Sequence, residues 1–274
     1  MNPSEFREIR YEVESGVGII TLDRPDRRNA WSGPMAVEYR WALHHAHVDP
    51  GVRVVILTGE GPDFCVGAER AALREISVDG GNYTRESAPL PPYPEGTPDW
   101  LRHNHCATLA VGVPVIAVIT GACAGAGFVL GTYSDLRWVA DDAKVTSAFA
   151  RLGLPAEYGT AWMLARQVGL PNAMQLLYDS DVIDGPTALR LGWAQRTGAA
   201  TEVLENAKAY ARRLAQRSSA QSLRSMKRAL IVDAAGNLGD AYKASVHDME
   251  EALRHPDFRL ALDAQAARVV ANFL

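Results

Sequence analysis

Pro114-Val-Ile-Ala-Val-Ile-Thr-Gly-Ala-Cys-Ala-Gly-Ala-Gly127 is the stretch that decides the fold. Pro114 to Ile119 is an unbroken apolar run rich in β-branched side chains, the pattern of a strand buried on both faces. Gly121 and then Gly125-Ala126-Gly127 end it, and Phe128 to Tyr133 continues as an apolar helical segment. A strand that turns on glycine into a helix is a unit of α/β architecture.

The theme extends outward. Ile9, Tyr11 and Val13 alternate with charged residues, and Val17 to Leu22 follows across Ser15-Gly16, which predicts a hairpin. Ser32 is placed to cap a helix with Pro34 in its first turn, and Met35, Tyr39, Ala42 and Ala46 recur at helical spacing. Val54 to Leu57 and Leu136 to Val139 read as further buried strands. Beyond Leu170 the pattern turns helical, over Asn172 to Tyr178, Gly185 to Leu191 (capped by Asp184), Leu204 to Gln216, Ser219 to Ala235 and His247 to Phe273. The reading is a core over 1–200 and a helical subdomain over 201–274. Ser77 to Asp99 is rich in Gly, Pro, Ser and Tyr and reads as a long loop, either a lid over a site or an insertion without function.

Composition narrows the function classes. Of 274 residues, 47% are apolar and 22% charged, ordinary for a globular chain with ample core. A net charge of −4 argues against a nucleic-acid surface. Cys65, Cys106 and Cys123 lack metal or disulfide spacing, which predicts a reducing, cytoplasmic setting. Leu109 to Ile119, the longest apolar stretch, is too short to cross a bilayer, and Met1 to Tyr11 has no signal-peptide core. The spacings of His44, His45, His47, His103 and His105 do not match a zinc site, and no metal is expected.

Two glycine turns carry the candidate chemistry. In Gly61-Pro-Asp-Phe-Cys-Val-Gly-Ala-Glu69, glycine permits close backbone approach and leaves the Ala68 N–H accessible. In the Gly125-Ala126-Gly127 turn, the N–H groups point forward from a helix N-terminus, where negative charge is favoured. Two N–H groups converging on one carbonyl oxygen form an oxyanion hole, worth roughly 3–4 kcal/mol per donor. Taken singly, each turn reads as a packing glycine at a strand–helix junction, and only the two together with their surroundings point to a site.

The order of motifs resembles the crotonase, or enoyl-CoA hydratase/isomerase, superfamily. The marks are Ile19-Ile-Thr-Leu-Asp-Arg-Pro25 with Arg28-Asn29-Ala30, and Val54-Val-Ile-Leu-Thr-Gly59 with Phe64-Cys-Val-Gly-Ala68. Pro114-Val-Ile-Ala117 with Gly125-Ala-Gly127, Ser134-Asp-Leu-Arg137, Phe149-Ala-Arg-Leu-Gly-Leu154 and Ala188-Leu-Arg-Leu-Gly192 follow in turn. The resemblance implies a spiral of ββα units with a C-terminal helical subdomain, trimers or paired trimers, and an acyl-CoA substrate. Coenzyme A then belongs to the substrate, and no separate cofactor is implied. It also implies oxyanion donors at Ala68 and Ala126, and coenzyme A contacts around Arg28, Ala30, Gly67, Ala68 and Gly125; read without it, Arg28 is a lone surface arginine. Ala126 stands where many relatives have a glycine.

The same resemblance bears on proton transfer. The two glutamates of the familiar hydratases fall at Val129 and Phe149, neither of which moves a proton. Glu157 matches the segment that carries the single catalytic glutamate of 3-enoyl-CoA to 2-enoyl-CoA isomerases. From the residues alone, Glu157 reads first as an acid complementing the dipole of the helix that follows; the resemblance turns it toward catalysis. Glu69 and Asp135 read as structural acids. A catalytically silent acyl-CoA-binding protein, or a lyase or hydrolase using Asp99, are the competing readings.

Overall fold

The computed structural model describes residues 1–69, 73–74, 78 and 88–274. Much of the expected Ser77 to Asp99 loop, including 79–87, lies outside the described residues.

Strands β1 (Ile9–Glu14) and β2 (Val17–Leu22) form the expected antiparallel hairpin, with Glu14 opposite Val17. β3 (Val54–Gly59), β4 (Val115–Ile119) and β6 (Leu136–Ala140) then add in parallel, and β8 (Arg196–Gly198) closes the edge, giving the order β1-β2-β3-β4-β6-β8. Every residue of β2 and β4 is buried, whereas β1 at the edge is buried at Ile9, half-buried at Tyr11 and exposed from Glu12 to Glu14, Val13 included. Central strands covered on both faces need continuous apolar sequence, which is what these segments supply. A second, two-stranded sheet pairs β5 (Ala122–Ala124) with β7 (Lys144–Thr146).

Helix α1 (Gly33–Val48) starts where Ser32 Oγ accepts the Met35 N–H at 3.1 Å. On its buried face, the Glu38 carboxylate accepts the N–H groups of Arg7, Glu8 and Ile9 at 2.8–2.9 Å, which anchors the entry to β1. A short α2 (Ala107–Ala110) leads into β4, and α3 (Ala126–Tyr133) follows β5. All eight residues of α3 are buried. The chain continues through α4 (Thr160–Val168), α5 (Leu170–Tyr178) and α6 (Gly185–Arg190), the last capped by Asp184 at 2.8 Å from Thr187 N–H as expected.

In α7 (Val203–Arg217), Ala207, Ala211 and Ala215 form a fully buried stripe against β2, β3, β4 and β6. Side chains this small let the helix lie close on the sheet, so the sheet's core continues past residue 200. Helices α8 (Ala220–Ile231), α9 (Leu238–Arg254) and α10 (Pro256–Ala266) complete the chain.

Two expectations are corrected. His247 to Phe273 is not one helix: Pro256 lacks an N–H to continue α9, and the His255 ring accepts the Asp257 N–H at 3.2 Å to begin α10. The helical run after Leu170 is also interrupted by β8, a three-residue edge strand too short to show a period.

Candidate active site

The two glycine turns meet. Phe64 and Cys65 donate to Ala122 C=O at 3.1 and 3.0 Å, and Ala124 N–H donates to Cys65 C=O at 2.9 Å. The segment before Ala68 therefore runs beside β5, the segment before Ala126. Gly67 (φ 101°) and Gly125 (φ 50°) both occupy backbone that side chains rarely adopt. A β-carbon on Gly67 would lie 3.1 Å from the Ala124 carbonyl oxygen. Gly127 closes the packing, since its β-carbon would fall 2.3 Å from Cys65 C=O.

Trp31 holds the first turn from the other side, donating to Gly67 C=O at 2.8 Å and accepting from Glu69 N–H at 3.0 Å. Neither the Ala68 N–H, between these two bonds, nor the Ala126 N–H, in the first residue of α3, donates to any described residue. Two free donors on touching turns are what an oxyanion hole needs.

Ala68 lines a cleft of about 1110 Å³. Aromatic and apolar side chains dominate its wall, among them Trp31, Trp100, Tyr133, Tyr158, Trp162 and Met163. Ala126 is buried and is not among the lining residues.

Glu157 immediately precedes the lining residues Tyr158 and Gly159. Its carboxylate has no hydrogen-bond donor and no cation among the described residues, and burial pushes its pKa up to about 7. The following helix begins only at Thr160, with no acid in its first turn, so the alternative role of a first-turn dipole acid does not apply. Tyr158 takes left-handed backbone at φ 54°.

Val129 and Phe149, 1% and 3% exposed, pack together with Leu101, Leu109, Tyr133 and Met163, all four of which also line the cleft. A carboxylate at either position would be buried among hydrocarbon.

The other sequence-singled residues are engaged elsewhere. Arg28 Nε donates to Asp63 at 2.7 Å, and Asp63 also accepts the Ala122 N–H at 2.8 Å. Burial opposes ionisation of Asp63, but these two donors outweigh it and hold its pKa below the usual carboxylate range. Ala30 is buried, its carbonyl accepting from Arg24 at 3.2 Å. Glu69 pairs with Arg24 at 3.2 Å, and Asp135 pairs with the buried Lys227 at 2.7 Å, the structural roles expected of them. Asp99 is almost fully exposed and pairs with Arg102 at 3.4 Å. Among the described residues, no cluster of His, Cys, Asp or Glu is arranged to hold a metal.

The cleft also contains residues that sequence reasoning did not bring there. His105 stacks on Tyr158 with 3.4 Å between ring centroids, and burial pulls its pKa down to about 4. Tyr133 donates its hydroxyl to the Tyr158 carbonyl and shares a hydrogen bond with the Cys106 thiol. The one available signal was that Tyr133 lies one helical turn after Val129, on the same face of α3.

This architecture is the crotonase fold. A crystal structure of an enoyl-CoA hydratase/isomerase from Mycobacterium paratuberculosis superposes with a TM-score of 0.83 at 25% identity, over 98% of this chain and 99% of the other. Residues 12–271 match the family model described as Enoyl-CoA hydratase/isomerase, and the chain belongs to that family. A protein named "Probable enoyl-CoA hydratase" from Rhodobacter capsulatus is 35% identical over 191 residues, 68% of this chain and 67% of its own. The peroxisomal Delta(3,5)-Delta(2,4)-dienoyl-CoA isomerase of Arabidopsis thaliana is 32% identical over 203 residues, 72% of this chain and 71% of its own.

Proposed function

We propose that the chain is an isomerase of enoyl-CoA thioesters that shifts a 3-enoyl double bond to the 2-position with one carboxylate. Glu157 removes a proton from C2, and the C–H electron pair moves into the thioester carbonyl to give a dienolate. The N–H groups of Ala68 and Ala126 hold its oxygen, and the protonated Glu157 returns the proton at C4. A pKa near neutrality suits a group that must first accept a proton and then give it back.

The observation that carries this reading is Glu157 itself, a carboxyl without a partner among the described residues and with its pKa raised to about 7, next in chain to the cleft wall, while Val129 and Phe149 are buried among apolar side chains. On this reading coenzyme A enters only as part of the substrate, flanked by Arg28, Ala30, Gly67 and Gly125. The setting is cytoplasmic acyl-chain metabolism. The assembly is a trimer or a dimer of trimers: within 201–274, α7 is committed to the core, while Leu238, Tyr242 and Met249 on α9 stay exposed.

The apolar Val129 and Phe149 also favour a second reading, an acyl-CoA-binding protein without turnover. Assay of purified protein with 2-enoyl-, 3-enoyl- and dienoyl-CoA, beside Glu157→Gln, separates the two. Turnover of 3-enoyl-CoA that disappears in Glu157→Gln supports the isomerase. Tight binding with no turnover on any substrate supports the binding protein, and turnover unaffected by the substitution removes Glu157 from the mechanism.

A further inference from the structure

Glu157 is presented by a turn whose backbone needs outside support. Tyr158 at φ 54° and Gly159 at φ 77° are consecutive left-handed residues, and a tyrosine enters that region only when its surroundings impose it. Three contacts from outside the turn do so. The His105 ring lies over the Tyr158 ring at an interplanar angle of 15°. The Tyr133 hydroxyl donates to the Tyr158 carbonyl. The same oxygen abuts Gly159, where an added β-carbon would lie 3.1 Å away.

Tyr133 is the last residue of α3, and Ala126 is the first. One short buried helix therefore carries the candidate oxyanion donor at one end and, at the other, the hydroxyl that grips the turn after Glu157. A helix packed on every side moves as a unit, so the donor and the grip on the turn after Glu157 keep a fixed separation.

We propose that Tyr133 is a positioning residue that holds the Tyr158-Gly159 turn and thereby fixes the Glu157 carboxyl in its half-buried place. The purpose of that placement rests on the isomerase reading; the placement itself does not. The titratable groups around the turn are Tyr158 next in chain, His105 and Cys106 before α2, and Tyr133 from α3. Arg102 and His103 share the cleft wall with Tyr158; among the described arginines Arg102 pairs with Asp99 and donates to the Thr97 carbonyl, Arg166 lies 3.9 Å over the Trp162 ring, and Arg151 pairs with Asp181. Loosening the turn lets Glu157 reach water, and no cation among the described residues is paired with it to compensate.

The test is a carboxyl-carbon NMR titration of Glu157 in the wild-type protein and in Tyr133→Phe, with thermal melting to confirm folding. In Tyr133→Phe the Glu157 titration should move down from about 7 toward the ordinary glutamate value. kcat on 3-enoyl-CoA should fall by about tenfold to a hundredfold with KM little changed, as misplacement of a reacting group requires. Gly159→Ala, which pushes a methyl against the same hydroxyl, should shift the titration in the same direction and serves if Tyr133→Phe does not fold. An unchanged Glu157 titration in a folded variant overturns the proposal. Should Glu157→Gln retain full turnover, the isomerase reading falls, and the titration still decides the role of Tyr133.

Discussion

A β-carbon built on Gly125 would lie 3.6 Å from the α-carbon of Gly67, and one built on Gly67 would lie 3.8 Å from the α-carbon of Gly125. The two turns thus touch backbone to backbone, each in a conformation that a side chain resists. Gly67→Ala or Gly125→Ala should cost about 1 kcal/mol or more of stability through backbone strain. If the turns hold the oxyanion, kcat should also drop by about 10²–10³, the loss expected when one donor is misdirected. Steady-state kinetics beside denaturant melts test this, and a folded Gly125→Ala variant with normal kcat would remove that turn from the site.

Glu157→Gln should separate activity from stability. Turnover is expected to fall by about 10²–10⁴ with loss of the acid–base group. The folded-state pKa, about 7, lies above the ordinary glutamate value, so the stability linked to Glu157 is complete below that ordinary value and is lost as pH rises through 7. The glutamine variant cannot ionise. It should therefore melt above the wild type at pH 8 and close to it at pH 5, by calorimetry at both.

The same titration should appear in the kinetics. A base must be ionised to accept a proton, so kcat/KM on 3-enoyl-CoA should climb about tenfold per pH unit below 7 and level off above it. A profile flat from pH 5 to 8 would contradict a Glu157 base.

Lys227 reaches from α8 into the core, donating to Thr108 C=O at 2.8 Å, Val113 C=O at 3.0 Å and the Asp135 carboxylate at 2.7 Å. Lys227→Met should cost about 3–5 kcal/mol, because it strands Asp135 and two carbonyls. Lys227→Met combined with Asp135→Asn should recover part of that loss in a urea melt.

What the sequence made legible was local. The hairpin at Ser15-Gly16, the Ser32 and Asp184 caps and the buried strands each depend on residues a few positions apart, and each stands where its pattern puts it. The α9–α10 break at Pro256 was equally local and is visible in hindsight. Strand β8 is too short to show a period and exists because β6 offers it an edge. The candidate site divides the same way. Ala68 and Ala126 sit on glycine turns that spacing reveals, but that the turns touch is a property of the sheet. His105 and Tyr133 meet Tyr158 from different elements, with Cys106 bonded to Tyr133, and no spacing in the chain announces such a meeting.

Enoyl thioesters face two competing outcomes, one of which consumes a solvent molecule while the other consumes nothing. Val129, Phe149, Leu101, Leu109 and Met163 present only apolar side chains, and the hydroxyl of Tyr133 is the one polar side-chain group among the buried residues of their cluster. On the isomerase reading, the choice between outcomes is exercised by withholding a reactant: Val129 and Phe149 offer an attacking solvent molecule no base.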